Sequence, residues 1–259
     1  MKRLLASLPL LLGGLAFFIP VNAQQAVGIS PPRFEWSTEA GSVKTGRVTI
    51  FTTEKEVRII PEIVDWSLSP TGSVVVLPRG AHPYSASDWI NLATDPFTLQ
   101  KGRDIVIPFS VRIPRNVDGS YWAALSFTTT PSLVKQGELA YEVRVRTLSI
   151  VYITIAGTER PGAKITRFDR EGDRLVLDVE NTGNTYLRLE GELKFLNPEG
   201  KIVGAQKLPE RVLLRDGLAR MKLKLPKDLP KDAVIAAVEV YAKKPVPLPE
   251  RLYAEVALR

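Results

Sequence analysis

Residues 139–156 of the 259-residue chain read LAYEVRVRTLSIVYITIA. The stretch is rich in β-branched and aromatic side chains, which pack well on a pleated surface and are poor helix formers, so it predicts a long strand. Apolar residues occupy the odd positions from Tyr141 to Val145, whereas bulky residues occupy the even positions from Leu148 to Tyr152. Because side chains alternate between the two faces of a strand, this slip predicts a bulge, or a passage from one sheet to another, near Arg146–Ser149.

Gly157, Pro161 and Gly162 follow this strand and indicate a hinge. On both sides of the hinge, short alternating segments lie between turn residues. This pattern predicts an all-β fold with two immunoglobulin-like β-sandwich domains in tandem after a signal peptide. The predicted organisation is a signal peptide at 1–23, a first domain at 24–157, a hinge at 158–163 and a second domain at 164–259.

Individual segments give more specific expectations. Pro31 and Pro32 interrupt the first segment, VGISPPRFEW, and proline cannot donate to a ladder, so we expect an edge strand or one that switches sheets. The alternation in SYWAALSFTTT predicts that Leu125 faces inward and that Trp122 faces outward. The second domain contains seven predicted strands, at 164–170, 174–181, 185–197, 201–208, 218–225, 234–242 and 251–258.

The N-terminal segment has the features of an export signal. Lys2 and Arg3 precede an apolar run to Phe18, and Val21 and Ala23 fit the pockets of a signal peptidase, which predicts cleavage after Ala23. The alternative is an uncleaved anchor, because the apolar run is near the lower limit for spanning a bilayer. We expect a periplasmic or cell-surface protein whose mature chain has no stable membrane insertion.

Composition excludes several classes of function. The chain has no cysteine and one histidine, His82, so thiol chemistry and histidine-rich metal sites are excluded. Its net charge is +7, but basic and acidic residues are interleaved, so we expect no nucleic-acid partner. No catalytic or phosphate-binding motif is present, and His82 is interpreted as a surface loop residue. Asp169, Asp173 and Asp178 lack the spacing of a calcium loop, so we expect no enzyme activity, cofactor or metal.

The order of the segments resembles the N-terminal domain of PapD-like periplasmic pilus chaperones. The segments that carry the resemblance are ISPPRFEW, GRVTIFTT, VRIIPEIVDW, WINLATDPFTLQKGRDIVIPFSVRIP, DGSYWAALSFTTTP and the long strand at 139–156. The second domain, with its NTGNT turn, resembles immunoglobulin-like modules of bacterial surface proteins instead. The resemblance implies a chaperone that lends its last strand to an incomplete pilin subunit.

The same resemblance assigns the partner-binding residues. It implies that Tyr141, Val143 and Val145 are the donor side chains and that Arg33 holds the subunit's terminal carboxylate. A second cation is implied around Leu148–Ile150, where none of the residues is basic, and Arg146 is the nearest candidate. The alternative is that the three donor side chains fill the core of their own domain.

Two functions follow from these observations. The first is a non-enzymatic periplasmic chaperone that binds exported pilus or surface-protein subunits by β-strand donation at the interdomain cleft. The alternative is a structural or adhesive surface module with complete sandwiches and no chaperone activity.

Overall fold

The computed structural model describes residues 27–136 and 139–258. Within these ranges the chain forms twenty β-strands and one 3-10 turn at Ser87–Trp89, which confirms the predicted all-β fold. No helix among the described residues is long and apolar enough to cross a membrane. The predicted signal peptide at 1–23, its cleavage site and the alternative anchor lie outside the described residues.

The first part of the chain forms a sandwich of two sheets and one separate hairpin. Its strands are β1 Val27–Ser30, β2 Arg33–Thr38, β3 Val43–Thr52, β4 Glu56–Leu68, β5 Val74–Leu77, β6 Ile90–Asn91, β7 Phe97–Gln100, β8 Ile105–Arg112, β9 Ser120–Thr129, β10 Ser132–Gln136, β11 Leu139–Val143 and β12 Arg146–Ile155. One sheet has the order β1-β3-β8-β6, and the larger sheet has the order β2-β12-β9-β4-β5 with β7 beside β4. Buried residues such as Val48, Ile107, Leu125 and Ile153 fill the space between them.

The first segment switches sheets, as its two prolines predict. β1 pairs antiparallel with β3 in the smaller sheet, whereas β2 pairs parallel with β12 in the larger sheet. The change of sheet takes place across Pro31 and Pro32, which belong to neither strand. The same register places Arg33 directly opposite Ile150 on β12.

The quoted stretch consists of two strands, which confirms a passage between sheets. β11 pairs with β10 in a two-stranded sheet, and β12 lies between β9 and β2 in the larger sheet. The break falls at Arg144 and Val145, slightly before the predicted Arg146–Ser149. It is held by the N–H of Thr129, which donates to the carbonyl oxygen of Val145 at 2.8 Å, and by the N–H of Val145, which donates to Oγ1 of Thr129 at 3.0 Å.

The second part of the chain forms a second sandwich. Its strands are β13 Ala163–Glu171, β14 Arg174–Asn181, β15 Leu187–Leu196, β16 Ile202–Lys207, β17 Arg211–Leu213, β18 Leu218–Lys224, β19 Ile235–Ala242 and β20 Leu252–Ala257. One sheet is β13-β14-β18, and the other is β16-β15-β19-β20 with β17 beside β15. The seven predicted strands are all present, and the short β17 is additional. Strands up to Ile155 and strands from Ala163 share no sheet, and the domain bounds given above stay a prediction.

A third apolar cluster joins the two sandwiches. It contains Trp66, Trp122 and Tyr152 from the outer face of the larger first-domain sheet, and Tyr186 and Leu214 from the second domain. Trp122 does point away from the first core, but it is 0% exposed, so the expectation that it faces solvent is wrong. The physical reason is that the second domain covers this face, which alternation along one strand cannot reveal.

Hydrogen bonds link the predicted hinge to both sandwiches at the junction, the place where the two sandwiches meet. The N–H of Gly119 donates to Oγ1 of Thr158 at 2.9 Å, and the N–H of Arg160 donates to Oδ1 of Asn184 at 2.7 Å. Asp118 accepts from Nη2 of Arg160 at 2.6 Å and from Nδ2 of Asn184 at 3.1 Å, and these bonds lower the pKa of its carboxyl group. Gly119 has a φ of 72°, and a Cβ there would lie 2.2 Å from the carbonyl oxygen of Asn184, so a side chain cannot fit.

Candidate functional site

An ion-pair network lies in the cleft where β2 and β12 meet the second domain. Arg33 and Glu35 are two residues apart on β2 and therefore share a face, and their Nε and Oε1 atoms are 2.9 Å apart. Arg188 reaches Glu35 from β15 of the second domain through Nη2, and its Nη1 donates to Oε1 of Glu210 at 2.8 Å. Two arginines and two glutamates thus form a charge-balanced chain that crosses the junction.

Arg33 and Arg188 differ sharply in their access to solvent. The side chain of Arg33 is 54% exposed, whereas that of Arg188 is 6% exposed. Tyr152 and Tyr186 stack beneath the network, with ring centroids 4.4 Å apart, and the guanidinium carbon of Arg188 is 5.7 Å from the Tyr152 centroid. Burial raises the pKa of Tyr152 to about 12, and burial also raises the pKa of Tyr186. Both phenols are therefore neutral, and the two arginines supply the positive charge of the cleft.

The structure does not bring Arg146 to Arg33. Arg146 lies four residues before Ile150, the residue opposite Arg33, which corresponds to about 13 Å along the strand. It donates from Nε to Oγ1 of Thr128 at 3.2 Å and lies 3.9 Å from Glu62. Arg146 shares the sheet face of Arg33, because an even number of residues separates it from Ile150, and it occupies the end of that face nearest β11.

The three predicted donor side chains lie around the break between β11 and β12. Tyr141 is 43% exposed, and Val143 and Val145 are half-buried. None of the three belongs to the core of the first domain as the structure describes it, so they do not fill that core. We call the paired strands β10, Ser132–Gln136, and β11, Leu139–Val143, the arm. Within the described residues, β11 pairs with β10 along one edge and with no strand along the other.

Arg188 and Glu35 are functional candidates that sequence reasoning missed. Arg188 stands in an ordinary-looking alternating strand, and its burial depends on how the two domains meet. The one available signal is the run Tyr186–Leu189, which places a large aromatic residue and an arginine on one face of a strand that is apolar on the other. The sequence gives no signal for Glu35, because a glutamate at an alternate strand position is typical of a solvent-exposed face.

His82 lies in a loop, as predicted, but it is half-buried at the junction. Its ring centroid is 4.7 Å from that of Trp122, and its Nδ1 accepts from the N–H of Tyr84 at 3.1 Å. The buried Asp65 fixes this loop by accepting from the N–H of His82 at 2.8 Å and from Oγ of Ser85 at 2.6 Å. The loop and residues 212–218 of the second domain line a cavity of about 320 Å³.

We expect acidification to destabilise the protein through His82. Burial lowers the pKa of His82 from its ordinary value of 6.5, so the fold favours the neutral imidazole. This contribution to stability is complete above about pH 6.5 and is lost as the pH falls through the lowered pKa of the folded state. Denaturant unfolding of wild type and His82→Gln between pH 7.5 and pH 5 measures it, since His82 is the only histidine. Equal losses in both proteins would contradict the expectation.

Solved structures similar to this chain include several fimbrial chaperones. The Class 5 fimbriae chaperone CfaA is 9% identical, matches over 88% of this chain and 98% of its own, and has a TM-score of 0.47. The CsuC–CsuE chaperone–subunit complex from Acinetobacter baumannii gives 10% identity, coverage of 88% and 97%, and a TM-score of 0.46. The E. coli chaperone DraB gives 11% identity, coverage of 88% and 95%, and a TM-score of 0.43.

Neither a family profile nor a curated protein sequence matches the chain. The fimbrial chaperones are PapD-like proteins, the family that the sequence resembles. With identities of 9–11% and TM-scores below 0.5, this likeness assigns no role to the chain.

Proposed function

We propose that the protein is a non-enzymatic periplasmic chaperone that binds exported, strand-deficient pilus or surface-protein subunits through β11 and the adjoining cleft. The observation that carries the proposal is the one-sided pairing of β11 in the described residues, next to the alternating apolar row of Tyr141, Val143 and Val145. An unpaired strand edge is a template for another chain. In such strand addition, main-chain hydrogen bonds supply affinity and alternate side chains supply specificity.

The cleft continues the same surface. β12 leads from the end of the arm to the level of Arg33, about 17 Å further along the strand, since five residues separate Val145 from Ile150. Leu148 and Ile150 are half-buried on the face between them, and Arg146 stands at its start. A subunit that adds a strand beside the arm would therefore reach Arg33 with its chain end, and the planar guanidinium fork suits a carboxylate.

The alternative proposal is a structural or adhesive surface module. Both sandwiches have their own buried core, which such a module requires. A surface module meets its partners through loops and leaves the arm without a role. The two proposals therefore make opposite predictions for variants of the arm.

Val143→Glu should abolish subunit capture and leave the fold intact. A carboxylate in the apolar row would be desolvated against the incoming strand, whereas in the free protein it can turn to solvent. Capture from periplasmic extract, identification of the bound polypeptide and its aggregation when expressed alone measure function, and circular dichroism measures folding. Val106→Glu is the matched control, because Val106 is 56% exposed on the smaller sheet.

Arg33→Ala in the same assay should weaken capture more than it lowers the melting temperature. If Val143→Glu melts the protein while Arg33→Ala changes nothing, strand donation is wrong and the surface-module proposal remains. Unchanged capture by Val143→Glu would lead to the same conclusion.

A further inference from the structure

One carboxylate oxygen connects the two arginines of the cleft. Oε1 of Glu35 lies 2.9 Å from Nε of Arg33 and accepts a hydrogen bond from Nη2 of Arg188. Oε2 of Glu35 accepts no hydrogen bond in the part of the chain that the structure describes. The side chain of Glu35 is 26% exposed, so solvent and a partner can reach it.

Arg188 is incompletely satisfied by these contacts. Its Nη1 and Nη2 bind Glu210 and Glu35, but its Nε is buried and has no hydrogen-bond partner. An arginine binds a carboxylate best through two parallel bonds, and Nε and Nη2 form one such edge of the guanidinium. Glu35 uses half of that edge, because its one bonded oxygen is shared with Arg33. A buried donor without a partner is unfavourable, so this edge favours a carboxylate that brings both oxygens.

Arg33 leaves room for such a group. Its Nε faces Glu35, its side chain is 54% exposed, and its Nη1 and Nη2 donate no hydrogen bond among the described residues. The cleft therefore combines the exposed guanidinium of Arg33 and the buried guanidinium of Arg188, whose Nε has no hydrogen-bond partner. The carboxylate of Glu35 lies between them.

We propose that Glu35 is an internal carboxylate that occupies the cleft arginines in the free protein, and that a partner's carboxylate binds the cleft by displacing it. This inference rests on the proposed function. It specifies that a partner bound at the arm makes its second contact, in the cleft, through a carboxylate. The partner's carboxylate replaces Glu35 between Arg33 and Arg188, and Glu35 turns to solvent. Glu210 keeps its bond to Arg188 throughout.

Because a partner's carboxylate must first displace Glu35, the wild-type cleft should distinguish poorly between a peptide that ends in a carboxylate and one that ends in an amide. Arg33, Arg188, Glu35 and Glu210 sum to zero charge, so exchanging one carboxylate for another leaves the net charge unchanged, and the new bond to Nε of Arg188 is offset by the bonds that Glu35 gives up. Glu35→Gln raises the sum to +1 and removes the competitor, while it preserves the shape of the side chain. The variant should then distinguish a carboxylate from a neutral amide, which the wild type does poorly.

Synthetic peptides test this directly. The probes are an acetylated hexapeptide of alternating valine and threonine that ends in a free carboxylate, the same peptide ending in an amide, and the amide with one glutamate. In wild type we expect acid and amide to bind within about threefold of each other, and in Glu35→Gln we expect the acid to bind about tenfold better, the range of one charge-assisted bond. Preference for the glutamate peptide would assign the carboxylate to a side chain instead of a chain end.

Two variants complete the experiment. Glu62→Gln is the matched control, because Glu62 lies beside Arg146 on the same face but outside the cleft, and it should keep the wild-type ratio. Glu35→Asp keeps the charge and withdraws the carboxylate by one methylene, so it should give an intermediate ratio even if Glu35→Gln folds poorly. The NMR signals of the side-chain nitrogens of Arg33 and Arg188 should shift when the acid peptide is added and should not shift when the amide peptide is added.

The proposal is overturned if Glu35→Gln binds neither carboxylate peptide, or binds acid and amide equally, or if wild type already prefers the acid tenfold. Failure of strand donation is read separately, from subunit capture by the wild type and Val143→Glu. If the wild type captures subunits but Glu35→Gln does not change the ratio of acid to amide binding, Glu35 is not an internal competitor. The chaperone proposal then still stands.

Discussion

Replacing Trp122 by alanine should lower the free energy of unfolding by about 3–5 kcal/mol, the usual cost of truncating a fully buried aromatic side chain. Trp122 is 0% exposed, and its Nε1 donates to the carbonyl oxygen of Trp66 at 3.0 Å. Its ring contacts those of His82 and Tyr84, so truncation also loosens the loop that closes the junction. Urea unfolding followed by far-UV circular dichroism measures the loss.

Phe51→Ala is the appropriate control for Trp122→Ala. Phe51 is an aromatic residue of the same domain, but it is 40% exposed on the smaller sheet and outside the junction. Its removal should cost clearly less. Similar losses for the two variants would mean that the second domain does not seal the face that Trp122 occupies.

Tyr186→Ala, a change in the second domain, should destabilise the first domain by about 3 kcal/mol or more, as expected for a buried ring. Tyr186 is 1% exposed and stacks on Tyr152 across the junction. All four tryptophans, Trp36, Trp66, Trp89 and Trp122, lie in the first domain, and Trp66 and Trp122 also lie at the junction, so their fluorescence reports unfolding of the first domain together with opening of the junction. The fluorescence midpoint should shift together with the circular dichroism midpoint.

Tyr253→Ala provides the comparison within the second domain. Tyr253 is 61% exposed on β20, and its replacement should leave both midpoints nearly unchanged. If Tyr186→Ala moves the circular dichroism transition but not the tryptophan transition, the two sandwiches unfold independently and the shared cluster does not couple them.

Much of the fold is readable from the sequence because it depends on local patterns. The slip in alternation between Val145 and Leu148 predicts the passage from the arm to the larger sheet, and Pro31 and Pro32 predict the switch of the first segment. The seven strands of the second domain follow from alternation bounded by turn residues. These features need no knowledge of how the domains meet.

The junction is not readable in this way, because burial there is decided by a second domain far away in sequence. Alternation places Trp122 on the outer face correctly, but solvent exposure does not follow from that face. The resemblance predicts Arg33. Its ion-pair network is not predictable from the sequence, because Glu35 and Arg188 lie 153 residues apart. Arg146 shows the limit of a register argument, since it lies on the correct face but about four residues from the cleft.

The shared cluster of Trp66, Trp122, Tyr152, Tyr186 and Leu214 also restricts how such a protein can diversify. Separation at 158–163 would leave large aromatic surfaces open to water on the first domain, so neither sandwich is an interchangeable module. Recombination that replaces one domain must also replace its counterpart. The arm contributes no described residue to this cluster, so its sequence can change without disturbing the junction.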